Sequence, residues 1–267
     1  MSLEDLGVLD LSIAAMLVLV MAGCTVVQQL GLARDILVAT LRMAIQLFLI
    51  GLVLRVLFDN GNLVWVVVMA LVMLLVAGRE ITVRQKRRLA GIWSYGVGTS
   101  SLFVSSFAVA IFALAGIIQA DPWYAPQYAI PILGMLLGNT MTGIALSLDR
   151  LTQAVWQQRK IIEQRLLLGE DRMQALIDIK RDCLRSGMMP LINSMAVAGI
   201  VSLPGMMTGQ ILAGSPPVKA VQYQILIWML IAAGAGFGMM LAIKITAARL
   251  FDERDRLRLD RLKQRKS

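Results

Sequence analysis

Seven apolar runs dominate this chain, and each is long enough to hold the roughly 20 residues, within a range of about 17–25, that an α-helix needs to cross the hydrocarbon core of a bilayer. They are Leu11 to Ala33, Ile36 to Leu54, Gly61 to Gly78, a stretch within Leu89 to Ala120, one between Pro122 and Leu148, Ser186 to Val218, and Ala220 to Ile243. The predicted fold class is therefore all-α, a polytopic membrane protein with seven transmembrane helices. Composition agrees, with 58% hydrophobic and 16% charged residues, against about 25% charged in soluble domains. The N-terminal MSLEDLGVLD is acidic and no small-residue cleavage site follows a short apolar core. The first run is thus expected to stay as a membrane helix rather than leave as a signal peptide. Residues 1–267 read as a single membrane domain.

Lysine and arginine set the orientation. Arg79, Arg84, Lys86, Arg87 and Arg88 follow the third span, eight basic residues follow the fifth, and eight more lie from Arg249 onward. The opposite connections hold only Arg55 and Lys219. The positive-inside rule then predicts an N-out, C-in topology with a basic cytoplasmic tail over 249–267. The net charge of +9 is explained by this topology and by attraction to anionic lipid, so the expected partner is the bilayer and not nucleic acid.

Between spans five and six, residues 149–185 form the main expected element outside the membrane, a cytoplasmic helical extension. Leu151, Val155, Ile162 and Leu166 share one helical face, and Met173, Leu176, Ile177, Lys180 and Leu184 share another. Gly169 suits a helix end, and Glu170 and Asp171 suit the start of the next helix. Two readings stand: spans five and six simply continue as packed helices, or this loop docks a partner.

Several chemistries are excluded. The chain has no histidine, which removes His-based triads, HExxH zinc sites and imidazole proton shuttles. Glycine is never followed by lysine, so there is no P-loop, and any driving ATP must bind another subunit. Cys24 and Cys183 have no pairing pattern. No Asp or Glu lies deep in a span, so a dehydrated hard-cation site has no charged ligands and no metal ligands are assigned.

Polar residues inside spans are costly unless they pair or line water. Arg42 and Gln46, four apart, share a face of span two, where Arg42 either attracts an anion or snorkels to the interface. Span five carries Gly134 and Gly138 with Asn139, Thr140 and Thr142. Span six carries Asn193, Ser194, Met195, Met206, Met207 and Gln210, and its Pro204-Gly205 pair can kink or break the helix as a hinge. These residues are the candidate substrate path. The 17 methionines invite a soft-metal reading, although methionine in such a chain is commonly adaptable packing.

The segments YAIPILGMLLGNTMTGIALSLDRL, PLINSMAVAGIVSLPGMMTGQILAG and YQILIWMLIAAGAG, with ARDILVATLRMAIQLFLIGLVL, resemble the FetB-type permeases, membrane subunits of ABC transporters assigned to iron export. The likeness covers nearly the whole chain. It implies a bacterial inner-membrane permease with no enzymatic activity of its own. It also implies a FetA-like ATPase partner holding ATP and Mg, with two copies of each subunit. Residues 163–169, EQRLLLG, are similar to the EAAxxxG pattern of ABC importer permeases, matching at Glu163 and Gly169. On that likeness Glu163, Arg165, Leu166, Gly169, Glu170 and Asp171 are the candidate coupling residues. Pro190 falls later than that pattern expects, which implies a longer or differently folded loop.

Two function classes remain open: an ATP-driven permease, or a channel or secondary carrier working without ATP. Carriers coupled to protons or sodium usually show intramembrane acids, which favours the first. The resemblance implies iron as cargo. The neutral and arginine side chains in the spans fit a chelate or an anionic small molecule better than a bare ion.

Overall fold

The computed structural model describes residues 7–264, apart from the side chains of Val8, Asp59 and Asn60. Packing divides the chain between Asn62 and Leu63 into two units. The first holds α1 (Val8–Val27) and α2 (Ala33–Asn60), joined by a turn in which Leu30 N donates to Thr25 O at 3.0 Å. Among its described side chains only Ala22 and Leu57 are buried, so this hairpin has no core of its own. Most of its exposed side chains are apolar, which is stable where lipid is the solvent.

The second unit runs through α3 (Leu63–Arg84), β1 (Arg87–Leu89), α4 (Trp93–Ile111), a π-helical turn (Phe112–Ile118) and α5 (Pro126–Gln157). It continues through α6 (Arg159–Leu167), α7 (Arg172–Ala175), α8 (Ile177–Val197), α9 (Gly205–Leu212) and α10 (Pro217–Arg249), then a 3-10 turn (Leu259–Arg261) and β2 (Leu262–Gln264). Small residues let these helices approach. A Cβ on Gly234 would sit 3.3 Å from Leu136 Cδ2, and one on Gly238 would sit 3.3 Å from Ile144 Cδ1. The two positions rise together, so α5 and α10 are parallel. The same glycines face Val109 and then Ser105 of α4, in falling order, so α4 is antiparallel to α10. Leu136, Ile144, Leu151 and Met239 form the buried centre.

Both α5 and α10 finish at one polar clasp. There β1 pairs antiparallel with β2, Arg88 opposite Lys263. Thr152 Oγ1 on α5 donates to Arg87 O at 2.8 Å, and Lys86 N donates to Asp149 Oδ1 at 2.7 Å. Arg87 lies 4.0 Å over the Trp156 ring, and Arg249, the last residue of α10, lies 4.0 Å over Trp93. The clasp joins the α3–α4 connection, α5, α10 and the tail.

Six helices among the described residues are long and apolar enough to cross a membrane: α1, α2, α3, α4 with its π turn, α5 and α10. The protein is an all-α, multi-pass membrane protein. Ser186 to Val218, read above as the sixth span, is divided rather than continuous. It holds the second half of α8, a break over 198–204, and α9. Gly199 adopts φ +84°, where an L side chain is strained, and Val197 O accepts from Val201 N at 3.0 Å, closing a turn instead of continuing the helix. Pro204 then brings a ring and no N–H, so α9 starts after it.

Candidate functional site

Helix α5 sorts its three polar span residues by face. Thr140 is buried, and a Cβ on Gly238 of α10 would lie 2.7 Å from its methyl group. Asn139 and Thr142 are exposed on the other side with Gly138. Each binds its own helix: Asn139 Nδ2 donates to Met135 O, and Thr142 Oγ1 to Gly138 O, both at 2.9 Å. On α8, Asn193, Ser194 and Met195 are exposed, and Ser194 Oγ donates to Pro190 O at 2.9 Å. These bonds use the donors and leave oxygen lone pairs on neutral groups. Helices α5 and α8 cross where a Cβ on Gly187 would meet Ser147 Oγ and lie 3.0 Å from Gly143 O. Asn139 is about one turn and Ser194 about two turns from that crossing. Among the described residues, no group of three or more His, Cys, Asp or Glu could hold a metal ion.

The other expected path residues are placed separately. Arg42 and Gln46 lie on α2 in the first unit, both exposed there. Pro204 caps α9 and Gly205 begins it. Met206 is half-buried and Met207 buried. Gln210 Oε1 is shielded from solvent without a hydrogen bond.

At the opposite end of α8, the connection from α6 to α7 makes a fixed tip. Helix α6 ends at Leu167, and Gly169 turns the chain at φ +94°. Glu170 N donates to Arg165 O at 3.1 Å. Asp171 then caps α7: its Oδ1 accepts from Met173 N at 2.7 Å and Gln174 N at 2.8 Å, and Gln174 Oε1 accepts from Asp171 N at 3.1 Å. Arg165 ties the arms together, with Nη2 3.0 Å from Asp178 Oδ2 and Nε 3.7 Å from Glu170 Oε2. Arg165, Glu170 and Asp171 therefore build the tip from inside. Leu167 and Leu168 stand outside it, 87% and 85% exposed, beside the exposed Glu163.

Known proteins are similar to this chain over most of its length. A model described as an uncharacterised protein family (UPF0014) matches residues 8–251. The chain belongs to the UPF0014 family. A UPF0014 membrane protein of Synechocystis is 39% identical over 76% of this chain and 78% of its own length. YjkA of Bacillus subtilis, also named a UPF0014 membrane protein, is 33% identical over 94% of this chain and 98% of its own. The Escherichia coli protein named "Probable iron export permease protein FetB" is 31% identical over 96% of both chains. No solved structure matches.

In this UPF0014 member the sequence reading passed over Leu167 and Leu168. A signal was present. They fall off the stripe that ends at Leu166, and two apolar residues off the packed face, just before a glycine, mark an exposed apolar turn. The pairing of β1 with β2 in the clasp had no such signal, because it joins residues 177 apart in sequence, Arg87 with Gln264.

Proposed function

We propose that this chain is the membrane-spanning permease subunit of an ABC transporter, exporting iron or an iron chelate across a bacterial inner membrane. A separate FetA-like ATPase subunit holds ATP and Mg, and two permeases work with two ATPases. The likeness to FetB across 96% of the chain carries this reading. The rigid tip with Leu167 and Leu168 exposed supports it, since such a surface suits a soluble partner. Neutral Asn139, Thr142, Asn193 and Ser194 favour iron in complexed form, because oxygen lone pairs without charge hold a bare hard cation poorly.

The N-out, C-in arrangement with seven crossings belongs to the same proposal. Parallel α5 and α10 both end at the clasp, which supports a return of the chain leaving α5 to the far end before α10 begins. Residues 186–197 and 205–212 supply about 30 Å of helix for that return, enough for the hydrocarbon core. The sixth crossing is then a broken helix, with Pro204 and Gly205 as its hinge.

Reconstitution of permease and ATPase in vesicles tests the reading, comparing ATP-dependent movement of iron, iron chelates and anionic metabolites. Iron or chelate flux that stops without ATP is expected. Flux of an anion with no iron movement would replace the cargo. Transport by the permease alone would make it a channel or carrier.

A further inference from the structure

The residues after α10 are a built bracket. Asp252 Oδ1 accepts from the backbone N of Arg254 at 3.0 Å and of Arg256 at 2.9 Å, and its Oδ2 accepts from Arg256 Nε at 2.8 Å. Arg258 N donates to Leu250 O at 2.8 Å, and Arg261 Nη1 donates to Arg249 O at 2.8 Å and Phe251 O at 3.2 Å, closing the end of α10. Arg172 Nε of α7 lies 3.4 Å from Asp255 Oδ1, which joins the bracket to the tip.

Together they form a groove of about 470 Å³, with Glu163, Leu167 and Glu170 on one wall and Arg254, Asp255, Arg256 and Leu257 on the other. Beside it a second cavity of about 550 Å³ sets five guanidiniums, those of Arg172, Arg249, Arg254, Arg256 and Arg261, against the carboxylates of Asp252 and Glu253. Arg172 and Arg256 already have carboxylate partners, and Arg249 stacks on Trp93. Arg254 is exposed and makes no ion pair among the described residues. The surface is thus an apolar knob with a basic shoulder.

We propose that the bracket over 250–264 is half of the docking surface for the ATPase subunit: Leu167 and Leu168 enter an apolar cleft of that subunit, and Arg254 meets carboxylates on its rim. This rests on the ABC permease reading. An anionic membrane surface is the other partner that a basic shoulder could meet, but Glu163 and Glu170 share the groove and would be repelled by it. A protein surface can place opposite charge and apolar area side by side, which matches the mixed groove.

The test isolates the P-loop ATPase subunit that co-purifies with the full-length permease, then measures its binding to permease in nanodiscs of neutral phosphatidylcholine. Variants are Arg254→Glu, Arg254→Lys, and Leu167→Asp with Leu168→Asp. Arg254→Glu should weaken binding at least tenfold and flatten its salt dependence, Arg254→Lys should restore most of it, and the double leucine variant should abolish it. Clasp integrity is followed by intrinsic tryptophan fluorescence in a background with Trp65, Trp123 and Trp228 replaced by Phe, which leaves Trp93 and Trp156 and should not change in any variant. Arg254→Glu binding within twofold of the parent, with binding lost in the leucine variant, overturns the role of the bracket and leaves the permease reading standing. An Arg254→Glu effect seen only as weaker attachment to phosphatidylglycerol vesicles overturns it in favour of the membrane. No co-purifying ATPase would overturn both readings at once.

Discussion

A methyl group added at Gly187 would collide with the Ser147 hydroxyl and lie 2.6 Å from Met239 Sδ and 3.0 Å from the Gly143 carbonyl. The backbone carbonyl cannot move aside as a side chain can, and three helices meet at this point, so Gly187→Ala should destabilise by about 1–3 kcal/mol. Gly209→Ala is the control: nothing lies within 4 Å of a Cβ there, so inside α9 it should be neutral or stabilising by up to about 1 kcal/mol. Thermal midpoints in detergent compare the two, and equal shifts would refute the packing argument. A second residue-scale prediction concerns Cys183. Burial, opposed by Arg150 and reinforced by Asp182, pushes its thiol up to about 12. At pH 8 almost no thiolate is present, so in a Cys24→Ser background labelling should run at least about 100-fold slower than for the unfolded chain. Rapid labelling of the native protein would contradict this burial. At this scale the sequence was legible in part. Asn139, Thr140 and Thr142 are equally polar in the string, but helical rotation and the placement of Gly238 bury Thr140 alone. Helical spacing could separate it from the other two, yet only the packed neighbours could say which face is covered.

The elements differ in how plainly the chain announces them. Long apolar runs specify α1 to α5 and α10, because lipid leaves the backbone no solvent partner. The division of the sixth stretch is written in Gly199 and Pro204, although the break begins well before the Pro204-Gly205 pair that marks it in the sequence. Strands β1 and β2, RRL and LKQ, have too few residues to show alternation, and the partners lie far apart in the chain. Their pairing depends on the bracket, and the bracket depends on Asp252. Backbone N–H bonds from Arg256, then its guanidinium and the Arg254 N–H, hold the Asp252 carboxyl below the ordinary aspartate range. The Arg258 guanidinium holds Asp260 below that range in the same way. With folded values depressed, these carboxylates stabilise the bracket above the unfolded aspartate value of about 3.9, and the effect fades as pH falls through the folded values. Hydrogen exchange of amides 250–264 should therefore be slow at pH 7 and accelerate, relative to intrinsic rates, only on acidification below about pH 4. Protection in Asp252→Asn should already be reduced at pH 7. If acid leaves protection intact, or if Asp252→Asn matches the parent, the bracket is held by something else.

For the whole molecule, the number of crossings decides on which sides of the bilayer the tip and the α9–α10 turn lie. Charge distribution and the parallel register of α5 and α10 support the proposed crossing between them by the α8–α9 segment. A re-entrant α8–α9 would instead return to its own side, leaving α10 to start where α5 ended. The contacts of Gly234 with Leu136 and of Gly238 with Ile144 argue for the crossing instead, because an α10 starting at the clasp would face α5 in the reverse order. The expectation is specific. In a Cys24→Ser background, where Cys183 is buried and protonated, a cysteine at Ser215 between α9 and α10 should label from the periplasmic side of intact cells with a membrane-impermeant maleimide. A cysteine at Leu168 should label only after the membrane is opened. Both cysteines labelling from the same side would mean that the broken segment does not cross. The hinge proposal for Pro204 and Gly205 would fall with it, since a hinge in a segment that stays on one face cannot alternate access across the bilayer.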